Sequence, residues 1–232
     1  MAREGERCLR RVAFAPRLII MAKSPRAGRV KRRLARSIGD TAAIRCYRIC
    51  LAHTLLRLGA SRRWRTLVAI APHIDVKEAF WSRAVQPERI GRVPQGDGDL
   101  GRRMQHLFRR LPPGPAIIVG SDIPAISPAE IAKAFRLLGN ADAVFGPAKD
   151  GGYWLVGLRR SARALAPFAC VRWSSPHALA DTLDNLEGRR VAFASILSDV
   201  DTEESYRRLR RHWQRLIPPA LRACRSKPFP EA

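Results

Sequence analysis

No stretch of the sequence stays apolar for the roughly 20 residues that a membrane-spanning helix requires. The strongest apolar runs, 18–22 (LIIMA) and 116–120 (AIIVG), are far shorter. The opening MAREGERCLRR has no long apolar core and carries Glu4 and Glu6, so neither a secretory leader nor an organelle transit peptide is expected. The expectation is a cytoplasmic protein with no membrane span. Cysteine is sparse: the 5 present (Cys8, Cys46, Cys50, Cys170, Cys224) make no even framework in a small secreted chain, so reduced thiols are expected. Cys46, Cys50 and His53 fall at i, i+4 and i+7 of one helical face. The neighbouring sequence offers no fourth ligand for a soft metal there, and small thiols packed on a core face are the simpler reading. Aromatic residues make up 7%, beside 46% hydrophobic and 27% charged residues. Those are ordinary globular values, which argue against disordered, collagen-like and coiled-coil chains. Lysine is scarce as well, with 6 residues against 37 arginines.

What the sequence has in excess is positive charge. Its 232 residues hold 43 basic and 20 acidic side chains, a formal net charge of +23. Such an excess attracts anions, whether nucleic acid, phosphorylated metabolites or anionic lipid. The arginines are spread through every segment, many where an amphipathic helix shows its polar face to water, as at Arg62, Arg63, Arg109, Arg110, Arg207, Arg208, Arg210 and Arg211. A solvated basic surface therefore outweighs a dedicated nucleic-acid footprint, and no specific nucleic-acid partner is expected.

Short apolar segments at 17–22, 65–71, 90–93, 115–120, 141–146, 152–158 and 191–197 read as strands. Helical patterns fall between them: from about 30, over 41–58 with Asp40 as cap, near 76–83, from the glycine-rich QGDGDLG to about 111, and over 127–138, 175–186 and 202–216. This alternation predicts an α/β domain over 17–217 with a mainly parallel sheet covered on both faces. An Arg-rich lead is expected over 1–16 and a proline-containing tail over 218–232. In such a sheet ligands sit beyond the carboxyl ends of the strands, so the loops there are where chemistry belongs.

Four of those loops carry polar residues their strands do not need. AKSPRAGRVKRRL places Lys23, Gly28, Lys31, Arg32 and Arg33 before a helix N-terminus, a setting that favours phosphate. It is neither a P-loop nor GxGxxG. QGDGDLGRRM sets Asp97 and Asp99 among glycines. It presents a carboxylate and backbone groups to a base or sugar, or it is a turn in which Asp99 caps the next helix. In GSDIPAIS, Asp122 lies just past a buried strand, where a lone carboxylate suits Mg²⁺. In SDVDTEES, Asp199 and Asp201 are expected to point to opposite sides, so that at most one reaches the same metal as Asp122. PAKDGGYWL adds Asp150, followed by two glycines that leave space beside a strand. The scattered histidines make no Ser-His-Asp set. A cationic phosphate loop with several Asp for a divalent cation fits transfer from a nucleoside diphosphate or triphosphate.

The ordered series AKSPRAGRVKRRL, QGDGDLGRRM, GSDIPAIS, GPAKDGGYWLVGL, RWSS and DVDTEES, over roughly residues 17 to 216, resembles the GT-A-like family named radical-SAM/selenodomain-associated transferases. Some of its members are called arsenosugar biosynthesis glycosyltransferases. More distantly it is similar to the nucleotidyltransferases that make molybdenum cofactor dinucleotide or activate phospholactate. The resemblance implies a nucleotide-diphospho-sugar transferase (GT-A) fold, a three-layer α/β/α Rossmann-like sheet that binds an NDP-sugar or NTP with Mg²⁺ or Mn²⁺.

By position it implies that Lys23, Lys31 and Arg33, with Gly28, bind phosphate. Asp122 and Asp201 would hold the metal, and Gln95, Gly98 and Asp99 would read the base. Asp150, Gly151, Gly152 and Trp154 would flank a small-molecule acceptor, with Asp99 or Asp150 orienting or deprotonating it. Arg32 stands where the family usually has threonine, so a guanidinium replaces a hydroxyl. Ser175 also replaces a usual threonine but keeps the hydroxyl. The leading expectation is a metal-dependent glycosyltransferase. The alternative is a nucleotidyltransferase that joins an NTP to a phosphorylated acid. A non-catalytic basic nucleic-acid-binding protein fits less well, because the acidic loops would repel a phosphate backbone, and a member that binds nucleotide without turnover completes the set.

Overall fold

The computed structural model describes residues 15–59, 61–78, 80–81, 90–160 and 165–216. Nearly all of the expected lead, and the whole of the expected tail, lie outside these residues. The strands are β1 (Arg17–Lys23), β2 (Arg65–Ala71), β3 (Ile90–Pro94), β4 (Gly114–Gly120), β5 (Ala143–Pro147), β6 (Tyr153–Arg160) and β7 (Val191–Phe193). The helices are α1 (Arg32–Ile38), α2 (Asp40–Gly59), α3 (Leu100–Arg110), α4 (Pro128–Asn140), α5 (Ala178–Asp184) and α6 (Glu203–Leu216).

The seven strands form one sheet in the order β3-β2-β1-β4-β6-β5-β7. β1 pairs in parallel with both β2 and β4, β2 with β3, and β5 with β7. Only β6 runs the other way, antiparallel to β4 and β5. The expected mainly parallel α/β sheet is therefore what the chain forms. The chain leaves β1 toward β2 and β3, then returns to place β4 on the other side of β1. The carboxyl ends of β1 and β4 are thus the topological switch point.

Continuous apolar strands follow from burial on both faces. Leu18, Ile19 and Ile20 are all fully buried, and alternation sends them to opposite sides. Leu18 and Ile20 pack with Tyr47, Leu51 and Leu55 of α2, and α4 adds Ile131, Ala134 and Leu138 to that side. Ile19 packs with Met104, Leu107 and Phe108 of α3, with Leu179 and Leu183 of α5 beside them. A smaller core joins Leu34 of α1, Cys46 and Cys50 of α2, and Val200 and Leu209 near the end of the described chain. The two thiols are core residues, as the simpler reading held.

Three segments depart from the sequence expectation. Where a helix is expected near 76–83, the chain forms a 3-10 helix over His73–Lys77 and is helical at Phe80 and Trp81, while residues 79 and 82–89 fall outside those described. The strand expected over 191–197 is regular only to Phe193. Beyond it the chain still follows β5, through Ala194 N–H to the Phe145 carbonyl and Leu197 N–H to the Pro147 carbonyl. The helix expected over 175–186 is shorter, at Ala178–Asp184. Among the described residues no helix is long and apolar enough to cross a membrane.

Candidate active site at the switch point

The loop after β1 starts from a fixed base. Ser24 and Pro25 are buried, the Trp81 indole N–H donates to Ser24 Oγ at 3.2 Å, and Arg26 donates to Asp75 Oδ1 at 3.1 Å and to Glu78. Its exposed tip holds Gly28 in a left-handed conformation (φ 69°) with nothing within 4 Å of where a β-carbon would stand. The loop closes at Lys31, which is itself left-handed (φ 49°) and immediately precedes α1.

That conformation turns the Lys31 side chain inward, where it is 4% exposed. Its ammonium lies 2.5 Å from Asp122 Oδ2, 3.4 Å from Asp199 Oδ2 and 3.7 Å from Asp201 Oδ1. Arg33 Nη1 approaches Asp201 Oδ2 at 3.4 Å from the solvent side. Burial alone would drive the ammonium toward its neutral form. The carboxylates, Asp122 foremost, reverse this and hold Lys31 above the usual lysine value. Asp199 is shifted up, chiefly by burial and against the pull of Lys31.

Three loops thus meet at one cation, from the carboxyl ends of β1 and β4 and from the stretch after β7. A backbone bond from Val200 N–H to the Asp122 carbonyl at 3.3 Å fixes two of them in register. Both Asp199 and Asp201 reach Lys31, on one side and not on the opposite sides expected of them. With Val200 buried between them, residues i and i+2 of an extended stretch share one side, and that side faces Lys31.

Beneath the cluster, the buried Tyr47 hydroxyl accepts from Lys23 N–H at 2.8 Å, donates to the Lys23 carbonyl at 3.0 Å and lies 3.2 Å from Ser121 Oγ. It ties the end of β1 to the end of β4. Burial pushes this phenol up to about 12. Nothing in the sequence alone singled it out. The Lys23 side chain itself is exposed.

The other expected site residues divide. Gln95 is 3% exposed and donates to the Ala22 and Ala69 carbonyls at 2.9 Å, so its amide staples β1 to β2 instead of facing a base. Asp99 caps α3, accepting from Arg102 N–H at 2.8 Å. Gly98 supplies the left-handed turn before it (φ 92°). Asp150 is exposed and accepts from Gly152 N–H at 3.1 Å. A β-carbon on Gly151 would overlap the Pro176 carbonyl, so that glycine serves packing against the RWSS segment. Trp154 is buried beneath Gly146 and donates to the Ser195 carbonyl at 2.9 Å. It is a core residue and no wall of an acceptor cleft.

The donor chemistry suits a hard divalent cation. Asp122 and Asp201 offer carboxylate oxygens, their side chains are 27% and 28% exposed, and a positive charge, the Lys31 ammonium, already stands among them. Among the described residues no three His, Cys, Asp or Glu form a ready metal cage. Mg²⁺ needs none, since it is commonly held by one or two carboxylates together with substrate phosphate.

Comparison with known proteins places this geometry in context. The signature of the family described as "Uncharacterized protein conserved in bacteria (DUF2064)" matches residues 54–175. A candidate nucleotide-diphospho-sugar transferase from Desulfovibrio desulfuricans G20 superimposes with a TM-score of 0.74 at 24% identity, over 88% of this chain and 97% of that one. A cytidylyltransferase from Leptospira borgpetersenii gives a TM-score of 0.58 at 15% identity, over 88% and 89%. Rv0371C of Mycobacterium tuberculosis H37Rv, in complex with manganese, gives 0.51 at 17%, over 84% and 97%. These likenesses establish a shared fold. No curated protein sequence matches the chain.

Proposed function

The chain belongs to the DUF2064 family, and from that premise we propose that it is a metal-dependent transferase acting on a nucleotide-activated donor, moving a sugar from an NDP-sugar to a small-molecule acceptor. The observation that carries this reading is the meeting of Lys31 with Asp122, Asp199 and Asp201 at the switch point of the sheet. A site of this kind pairs cations for a diphosphate with carboxylates for its counter-ion.

Lys23, Lys31 and Arg33 bind the donor's phosphates, while the open tip around Gly28 leaves room for them. Asp122 and Asp201 would hold Mg²⁺ or Mn²⁺, which supplies neutralisation of charge on the departing nucleotide. Manganese in Rv0371C, a protein of the same fold, supports that choice of ion. Asp150 uses one carboxylate oxygen in its turn, and the other is free to orient an acceptor hydroxyl on this reading. Asp99 is occupied as a cap.

The test is a thermal-shift panel with Mg²⁺ or Mn²⁺ against NTPs, NDPs and NDP-sugars, run on wild type and Asp122→Ala. A metal-dependent rise with an NDP-sugar, lost in the variant, is the expected result. A rise with an NTP alone replaces glycosyl by nucleotidyl transfer. No shift with any nucleotide overturns the site.

A further inference from the structure

A cavity of about 440 Å³ lies at the other end of the sheet from Lys31 and Asp122. It is formed where the last turns of α4 meet the start of β7. β4, β5 and β7 share a direction, so the first residues of β7 lie at the edge opposite the catalytic loops. From α4 come Lys133, Arg136, Leu137 and Asn140, and from the β7 side Arg190, Val191 and Ala192. The α4 residues recur at i, i+3, i+4 and i+7, which puts them along one side of the helix. Ile131, Ala134 and Leu138 of the same helix are buried in the core.

The lining combines two chemistries. Leu137 and Ala192 are partly buried edges of one core, and Val191 of the other, so the floor is apolar. Around it stand three cations and no carboxylate. Arg190 is partly neutralised by Asp142 at 3.8 Å, and among the described residues Lys133 reaches the Ser195 hydroxyl, at 3.2 Å, and no carboxylate. Arg136 has no ion-pair partner among the described residues. At the carbonyl end of the helix, Arg159 donates to the Gly139 carbonyl at 3.3 Å. An apolar floor with a few convergent charged groups, in a few hundred cubic ångströms, is the usual form of a small-molecule site.

We propose that this cavity binds an organic phosphate: the phosphate on Lys133 and Arg136 with Arg190 behind them, and an apolar body on Leu137, Val191 and Ala192. The site is separate from the one assigned above and stands whether or not that assignment holds. Guanidinium and ammonium groups match phosphate oxygens through charge-assisted hydrogen bonds, and the apolar floor separates an organic phosphate from the bare ion.

The experiment is an amide-resolved NMR titration of the ¹⁵N-labelled full chain with adenosine monophosphate, octyl phosphate and inorganic phosphate as probes. Wild type is compared with Lys133→Glu, Arg136→Glu and Asp122→Ala. The expected result is saturable shifts at 133–141 and 190–192 with at least one organic phosphate, bound more tightly than inorganic phosphate. Each charge reversal should weaken it by about tenfold or more, with the melting temperature unchanged because both side chains are exposed, and Asp122→Ala should leave it intact. Stronger binding of the nucleotide or of the alkyl phosphate then identifies the body the floor accepts. Shifts confined to the loops around Lys31 and Asp122, equal affinity for inorganic phosphate, or no saturation with any probe would overturn the proposal.

Discussion

The indole of Trp173 is seated on the first turn of α3 so closely that a β-carbon at Gly101 would stand 2.7 Å from its Cζ2 and 2.9 Å from the Phe168 carbonyl oxygen. Gly101 is therefore the residue that lets the segment carrying Cys170 (φ 54°) and Ser174 (φ 59°) close over α3. Glycine to alanine within a helix ordinarily gains up to about 1 kcal/mol. Here overpacking costs about 1–3 kcal/mol, so Gly101→Ala is expected to lower stability. Urea unfolding measures the sign, and a stabilised variant would show that the segment moves aside freely.

Lys31→Met removes the cation that three carboxylates share. Partial exposure of those carboxylates discounts the cost of breaking a buried pair, leaving an expected loss of about 1–3 kcal/mol. Because Lys31 is held above its ordinary value of 10.5, its contribution is complete below that value and fades only as pH rises through the folded-state one. The difference from wild type should persist up to the ordinary lysine value and shrink in acid as Asp199, shifted up by burial, takes its proton. Equal stability of the two proteins at neutral pH would remove the ion cluster from the account of the fold.

Tyr47→Phe leaves Lys23 N–H and the Ser121 hydroxyl without their shared partner, at an expected cost of about 1–2 kcal/mol. In wild type the folded phenol keeps its proton to about 12, against an ordinary value of 10.0. Between those values the unfolded chain ionises first, so stability falls as pH rises. The variant loses that part of the alkaline slope. Denaturation curves of both proteins through this window check it, and parallel slopes would contradict the buried hydroxyl.

Asp99→Ala is expected to cost about 1 kcal/mol through loss of the α3 cap, and Asp99→Ser to restore most of it. Donor turnover by the serine variant separates a cap from a base: retained turnover supports the cap, and abolished turnover at restored stability returns Asp99 to the chemistry.

The order of strands and helices was legible because apolar runs and glycine-bearing loops alternate so regularly. Lys31, Asp122 and Asp201 were legible because they stand just past strands or at a helix start. Tyr47 and Gln95 were not, since each acts on backbone from distant segments, and those partners are set by sheet order. Trp154 carried a signal that went unused: it lies in an unbroken apolar strand, and such a strand is covered on both faces. The reversal of β6 leaves no mark in an apolar run, which reads the same for either direction.

The cluster at Lys31 joins residues 31, 122, 199 and 201, so it has a place in time as well as in space. During synthesis β1 to β6 emerge from the ribosome well before Asp199, and the sheet can assemble around an incomplete centre. Until the stretch after β7 arrives, Lys31 has only Asp122 to neutralise it. The ion cluster is therefore completed only when that stretch arrives, and a nascent chain released before residue 199 would keep most of the scaffold while lacking two of the three carboxylates.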